Sequence, residues 1–179
     1  MRNLIDLWTR AVADHASRTA VIYDGRAYAY TELDRMVRSF AAALCDDYEI
    51  APGDRVALVM PNCLHSIVCY LGCIRVGATA LPINIRLKPG EMRFMLEDAG
   101  ARLLVVHESL WEAVSEAIAG LESIEAVVGV GFGNGAVRNV SDMLSDGREC
   151  PPHAAAAEDV AAIIYTSGTT GLPKGAMIT

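Results

Sequence analysis

Ten residues of the chain, Thr166 to Gly175, hold four hydroxyl side chains, three glycines and one lysine, and no acidic residue. Glycine lets backbone N–H groups approach a ligand closely, hydroxyls donate further hydrogen bonds, and an ammonium adds a flexible positive charge. Together these suit a polyphosphate. A turn between two strands would also be rich in Gly and Thr, but ordinary turns seldom join this density of hydroxyls to a lysine. The lysine stands out further because 13 of the 15 basic residues are Arg, leaving only Lys88 and Lys174. The segment is not a Walker loop, which needs Gly-Lys-Ser/Thr, since Pro173 precedes Lys174 and Gly175 follows it. Pro173 disfavours helix at Leu172, so the loop is expected to join strand to strand.

Other constellations carry less. Gly131-Phe132-Gly133-Asn134-Gly135-Ala136 fits the dinucleotide spacing GxGxxA, with Glu149 as a loose later acid. No long helical pattern follows to face a pyrophosphate, and a surface connection is the better reading. His65, Cys69 and Cys73 recur every fourth residue, yet their extremes would lie ~12 Å apart along a helix, too far for one ion. They are expected to be packed as small apolar groups. Ser167 lacks the flanking glycines of a nucleophile elbow, because Tyr165 and Thr169 occupy those places.

The elements that must position the loop follow from periodicity. Leu4, Leu7, Trp8, Ala11 and Val12 predict an opening surface helix. Asp24-Gly25 predicts a hairpin between Ala20 to Tyr23 and Arg26 to Tyr30. Thr31 with Asp34 reads as a capping box for a helix through Leu44, and Pro52-Gly53-Asp54 turns the chain into a buried strand, Arg55 to Met60. Asn62 is placed to cap a helix to about Val76. Strand Ala78 to Ile83, helix Pro89 to Ala99, strand Arg102 to Val106, a helix opened by Ser109 and Glu112, and strand Glu125 to Val130 continue the alternation. Residues 131–139 and 145–157 read as connections. Val160 to Tyr165 is expected as a buried strand delivering the chain into the loop, and Ala176 to Thr179 as the opening of a strand with nothing left to pair it. The alternation predicts an α/β fold with a largely parallel sheet flanked by helices.

A chain of 179 residues, 53% hydrophobic and 21% charged, suits one globular unit and excludes a disordered one. Its net charge of −7 opposes attraction to nucleic-acid phosphates or anionic lipid. Five cysteines without CxxC spacing, and no signal-like N-terminus, point to reduced thiols and a cytoplasmic location. The uncharged run Val56 to Ile74 approaches membrane-spanning length, but Pro61-Asn62 breaks it and a buried strand followed by a buried helix is expected.

The run Tyr165-Thr166-Ser167-Gly168-Thr169-Thr170-Gly171-Leu172-Pro173-Lys174-Gly175 resembles the phosphate-loop signature of the adenylate-forming superfamily: acyl-CoA synthetases, peptide-synthetase adenylation domains and luciferases. Gly53-Asp54-Arg55-Val56-Ala57, Met60-Pro61-Asn62, Gly77-Ala78, Leu81-Pro82-Ile83-Asn84 with Arg86-Leu87, and Leu96-Glu97-Asp98-Ala99-Gly100-Ala101 resemble the N-terminal region of fatty acyl-CoA synthetases. The resemblance covers essentially the whole chain. It implies a three-layer α/β architecture, part of the large N-terminal domain of an acetyl-CoA-synthetase-like fold. Residues 1–179 would then be the N-terminal portion of an AMP-binding domain, with the C-terminal domain absent.

The activity so implied is ATP-dependent conversion of a carboxylic acid, a fatty acid foremost, into an acyl-adenylate and then an acyl-CoA thioester, with ATP, Mg2+ and coenzyme A. Thr166, Ser167, Gly168, Thr169, Thr170, Gly171, Lys174 and Gly175 would bind the β and γ phosphates. The family's motifs for adenine, magnesium, ribose and the catalytic lysine lie beyond the loop, so no catalytic residue and no metal ligand is expected within the chain. Its start directly at the first helix favours a free-standing ligase over a peptide-synthetase module. The partners implied are the small-molecule acid, ATP and coenzyme A, with no nucleic acid and no transmembrane segment. An uncovered sheet edge would favour a homo-oligomer. The competing readings are a phosphate-binding module without ligase chemistry and a dinucleotide-binding oxidoreductase fragment.

Overall fold

Successive residues of a strand buried on both sides must be apolar in both directions, and Arg55–Val59 meets that demand: Val56 and Leu58 face one helical layer while Ala57 and Val59 face another. A computed structural model describes residues 3–166 and 173–179. The chain runs α1 (Leu4–His15), β1 (Thr19–Tyr23), β2 (Arg26–Ala29), α2 (Tyr30–Tyr48), β3 (Arg55–Val59), α3 (Leu64–Arg75), β4 (Thr79–Pro82), α4 (Pro89–Ala99), β5 (Ala101–His107), a 3₁₀ turn at Glu108–Leu110, α5 (Trp111–Ile118), β6 (Ala126–Val130), β7 (Arg138–Asn139), α6 (Val140–Ser145), β8 (Ala162–Thr166) and β9 (Lys174–Ile178).

The main sheet has the order β7-β6-β5-β3-β4-β8-β9, parallel throughout except that β9 returns antiparallel to β8. Helices α2, α3 and α6 cover one face around Phe40, Leu44 and Val68. Helices α4 and α5 cover the other around Met92, Leu96 and Val114. The expected three-layer, largely parallel α/β fold is therefore present. β1 and β2 form a separate hairpin, turned by Asp24 at φ 49° and Gly25 at φ 73°, as the Asp-Gly pair requires. Among the described residues no helix is long and apolar enough to cross a membrane.

Several local expectations are corrected. In α1 the buried residue is Ile5, whereas Leu4 and Leu7 are exposed; the helix is rotated so that Ile5 and Trp8 face inward. Thr31 does not cap α2, because its hydroxyl donates to the Ala16 carbonyl at 3.1 Å; Asp34 is buried and accepts from Trp8 Nε1 at 2.8 Å and Arg38 Nε at 2.6 Å. Cys63, not Asn62, precedes α3, and its amide donates to Ser66 Oγ at 3.3 Å. The helix expected from Ser109 begins instead as a 3₁₀ turn, since His107 Nδ1 caps the Ser109 amide. The connection 131–139 contains β7, and α6, capped by the Asn139 side chain on the Ser141 amide, lies in residues 140–145 for which no element was expected. The Gly131–Ala136 turn leads into β7 rather than a helix N-terminus, which removes the dinucleotide fingerprint.

Residues 146–161 carry no helix or strand, yet they are held firmly. Ser39, Arg75 and Thr79 are three of the four buried polar or charged side chains among the described residues, and each donates to a carbonyl of this connection. Ser39 Oγ reaches Arg148 at 3.3 Å, Arg75 Nε reaches Cys150 at 2.6 Å, and Thr79 Oγ1 reaches Val160 at 2.9 Å. A buried donor without a partner costs roughly 1–3 kcal/mol, so each bond ties the connection down as it satisfies its own side chain.

The α2–α3 contact depends on a missing methyl. A Cβ on Gly72 would stand 2.5 Å from Cδ1 of the fully buried Phe40. We expect Gly72→Ala to lower stability by about 1–3 kcal/mol through overpacking, and Phe40→Leu in the same background to recover part of the loss. Urea denaturation checks this, and unchanged stability of Gly72→Ala would contradict the packing described.

Candidate functional site

The loop singled out by its residue types is mounted on the β8–β9 hairpin. Thr166 ends β8, Lys174 begins β9, and the two are cross-strand partners; Tyr165 pairs with Gly175 in the next register position. The strand-to-strand connection expected from Pro173 is present. Ser167, Gly168, Thr169, Thr170 and Gly171 lie outside the described residues. The tail Ala176 to Thr179 does not begin an unpaired strand, because Ala176, Met177 and Ile178 pair with Ile164, Ile163 and Ala162. Nor is β8 a buried strand throughout: only Ala162 is fully enclosed.

Alternation along β8 sets the direction of each side chain. Ile163 and Tyr165 pack on the α4–α5 side of the sheet, whereas Ala162 belongs to the α2–α3 side, and Thr166 shares that side by its even spacing. Directly opposed residues of an antiparallel pair project from the same face. Lys174 and Thr166 therefore stand together at the loop end of the hairpin, both exposed. Gly175 is required behind them, since a Cβ there would lie 2.8 Å from Ile163 Cγ2 and 3.2 Å from the Tyr165 ring.

Tyr165 anchors the hairpin. Its hydroxyl donates to the Asp98 carboxylate near the end of α4, and burial together with that carboxylate pushes the phenol's pKa well above the ordinary tyrosine value. The tether was not evident from the sequence, although Asp98 and Tyr165 both belong to segments that carry the family resemblance. Alternation of Ile163 and Tyr165 against Ala162 and Ile164 is the signal that would have assigned the tyrosine to the α4 side.

Strands β3, β4 and β8 run parallel, so their C-terminal ends share one edge of the sheet, the edge at which ligands enter open α/β sheets. At that edge, and on the α3 side, lies a cavity of about 630 Å³ lined by Leu58, Met60, Asn62, Tyr70, Pro82 and Asn84. It is mainly apolar with a few polar groups and has the size of a small-molecule site. Thr166 and Lys174 open onto the same edge and the same face. His65, Cys69 and Cys73 do not form a site: burial raises the thiol pKa of Cys69 and Cys73 and lowers that of the His65 imidazole. Among the described residues no group of three or more His, Cys, Asp or Glu side chains could hold a metal ion.

With this geometry in place, comparison with known proteins is informative. A family model described as AMP-binding enzyme matches residues 8–179. The chain is 30% identical to a long-chain-fatty-acid–CoA ligase of Haemophilus influenzae, over 99% of this chain and 36% of that protein. It is 32% identical to a 3-hydroxybenzoate–CoA ligase of Aromatoleum sp. (strain CIB), over 90% of this chain and 31% of that protein. Among solved structures it is similar to the anthranilate CoA ligase AuaEII in complex with anthranoyl-AMP, with a TM-score of 0.90 and 26% identity, over 97% of this chain and 34% of that one. The chain thus spans about a third of the length of these relatives.

Removing the phenol hydroxyl tests the anchor. We expect Tyr165→Phe to cost about 1 kcal/mol at neutral pH, the net value of one hydrogen bond. A phenol whose pKa is raised on folding loses stability as pH climbs past its unfolded value near ~10, so the variant should also show a shallower alkaline decline. Denaturation midpoints at neutral and alkaline pH check both, and identical curves for the two proteins would contradict the tether.

Proposed function

Because the chain belongs to the AMP-binding enzyme family, we propose that it supplies the pyrophosphate-binding part of an ATP-dependent acid–thiol ligase. In the reaction a carboxylate oxygen attacks the α-phosphorus of ATP, pyrophosphate leaves, and the acyl-adenylate passes its acyl group to the thiol of coenzyme A. Positioning and stabilisation of charge dominate such a step. Thr166, Ser167, Gly168, Thr169, Thr170, Gly171, Lys174 and Gly175 hold the β and γ phosphates in this reading. Lys174 balances the charge that grows on departing pyrophosphate. An ammonium on a flexible stem follows a leaving group as a point charge, where a planar guanidinium would demand fixed bidentate geometry. This explains a lysine at this position in an arginine-rich chain. Magnesium, when bound, neutralises phosphate charge; its ligands are not assigned among the residues described.

The observation that carries the proposal is the register of the hairpin, which sets Lys174 opposite Thr166 at the mouth of the loop. A fatty acid is the substrate class we propose, supported by the Haemophilus influenzae relative, whose name specifies long-chain fatty acids. An aromatic acid is the alternative raised by the 3-hydroxybenzoate ligase, and the acyl acceptor could equally be a carrier-protein thiol, as in the fatty acid–[acyl-carrier-protein] ligase ScoC of Streptomyces coeruleorubidus.

Carboxylate-dependent exchange of labelled pyrophosphate into ATP, run on the product of the natural gene across acids from acetate to long-chain and aromatic ones, tests the reading. Exchange is expected with one class of acid, and Lys174→Ala should reduce it by roughly 10²–10³-fold, the usual cost of removing a preorganised charge-stabilising group. Lys174 is exposed, so the variant should fold normally. The 179 residues alone should show no exchange. Turnover by the isolated chain, or full activity in Lys174→Ala, would overturn the assignment.

A further inference from the structure

Three of the five cysteines, Cys63, Cys69 and Cys73, are buried, while Cys45 and Cys150 are half-buried. Those two are separated by 105 positions in sequence, yet their sulfurs stand 4.0 Å apart. Cys45 lies in the last turns of α2, and Cys150 lies in the irregular connection leading to β8. We propose that Cys45 and Cys150 are an oxidation site, forming a reversible intramolecular disulfide that latches the 146–161 connection onto α2.

Both sulfurs are carried on backbone that is already fixed. The Cys150 carbonyl accepts from Arg75 Nε at 2.6 Å, the His153 amide donates to the Arg75 carbonyl at 2.7 Å, and Pro151 holds Cys150 to extended backbone. On the other side Asp46 and Asp47, which follow Cys45, are paired with Arg148, two residues before Cys150. Arg138 and Asp146 complete this cluster. The sulfurs need to approach by about 2 Å to reach disulfide length, a distance within reach of side-chain rotation.

The bridge forms by thiol–disulfide exchange. Burial, reinforced by the neighbouring Cys150 sulfur and by Asp46, pushes the Cys45 thiol up to about 11. The exchange balances equally with either thiol attacking first. With Cys150 first, its thiolate attacks one sulfur of a small-molecule disulfide, that S–S bond breaks, and one thiol leaves with a proton from solvent. Cys45 gives up its proton, attacks the Cys150 sulfur, and displaces the second small thiol. Two protein thiols and one disulfide thus become one protein disulfide and two thiols, with electrons balanced by the exchange. The bridge would enclose β3 to α6, and cross-links across so long a loop restrict the unfolded chain strongly.

The test equilibrates the reduced chain with a graded series of glutathione and glutathione disulfide, alkylates the free thiols, and maps the peptides. One intrachain bridge joining the Cys45 and Cys150 peptides is expected. Cys63, Cys69 and Cys73 should alkylate only after denaturation, and the thermal midpoint should rise by several degrees, reversibly with dithiothreitol. Cys45→Ala should leave a persistent glutathione adduct on Cys150, and Cys150→Ala should leave no bridge at all. The proposal is overturned if both thiols stay free at the highest proportion of glutathione disulfide, or if the adduct on Cys150 persists with Cys45 intact. A bridge that maps to another cysteine or links two chains also overturns it, as does a Cys45–Cys150 bridge that leaves the midpoint unchanged.

Discussion

The β8–β9 hairpin joins the main sheet at the seam where β8 lies parallel to β4. Ala80 pairs with Ala162, the Ala80 amide donates to the Ala161 carbonyl at 3.0 Å, and the buried Thr79 hydroxyl donates to the Val160 carbonyl. A parallel pair cannot be closed by a tight turn and needs a long crossover, so β8 arrives after three intervening α-helices and a connection without regular structure. That seam sets where β8 ends at the edge of the sheet. Tyr165 on Asp98 fixes the far side of the hairpin, and Gly175 lets β9 lie close enough to return Lys174 to its place beside Thr166.

The connection that feeds this seam is stabilised differently from the helices. Three of its carbonyls, those of Arg148, Cys150 and Val160, accept from side chains rising from α2, α3 and β4, which lets irregular chain lie against the core. Arg148 and Arg138 add ion pairs to Asp46, Asp47 and Asp146 at its surface, where such pairs contribute little singly and more as a network. The same fixation brings Cys150 to Cys45. Rigidity at the approach to the loop and reactivity of a thiol pair are thus two consequences of one arrangement.

Helix α4 was legible in full because Pro89 supplies its first residue and Gly100, at φ 61°, its left-handed stop. The parallel sheet was legible because apolar runs such as Arg55–Val59 and Ala101–His107 lack the alternation of a half-exposed strand. Caps were less so: Asn62 and Thr31 have suitable side chains, but Cys63 holds the entry to α3 through a local exchange with Ser66, and Thr31 is drawn to the Ala16 carbonyl fifteen positions away. The partner of β9 was illegible, since antiparallel return depends on the geometry of the intervening loop rather than on the composition of the tail. At the site, Thr166, Lys174 and Gly175 were evident from residue type and spacing. The Tyr165–Asp98 bond spans 67 positions and left no local trace.

The central claim is that polyphosphate is recognised at the mouth of the β8–β9 hairpin. Backbone amide chemical shifts of the chain, followed while inorganic pyrophosphate is titrated in, address it most directly. Shifts that saturate and are concentrated between Thr166 and Gly175, and that disappear in Lys174→Ala, are predicted. Saturable shifts centred elsewhere, as at the Gly131–Ala136 turn, or a response at the hairpin that survives loss of the Lys174 ammonium, would contradict it.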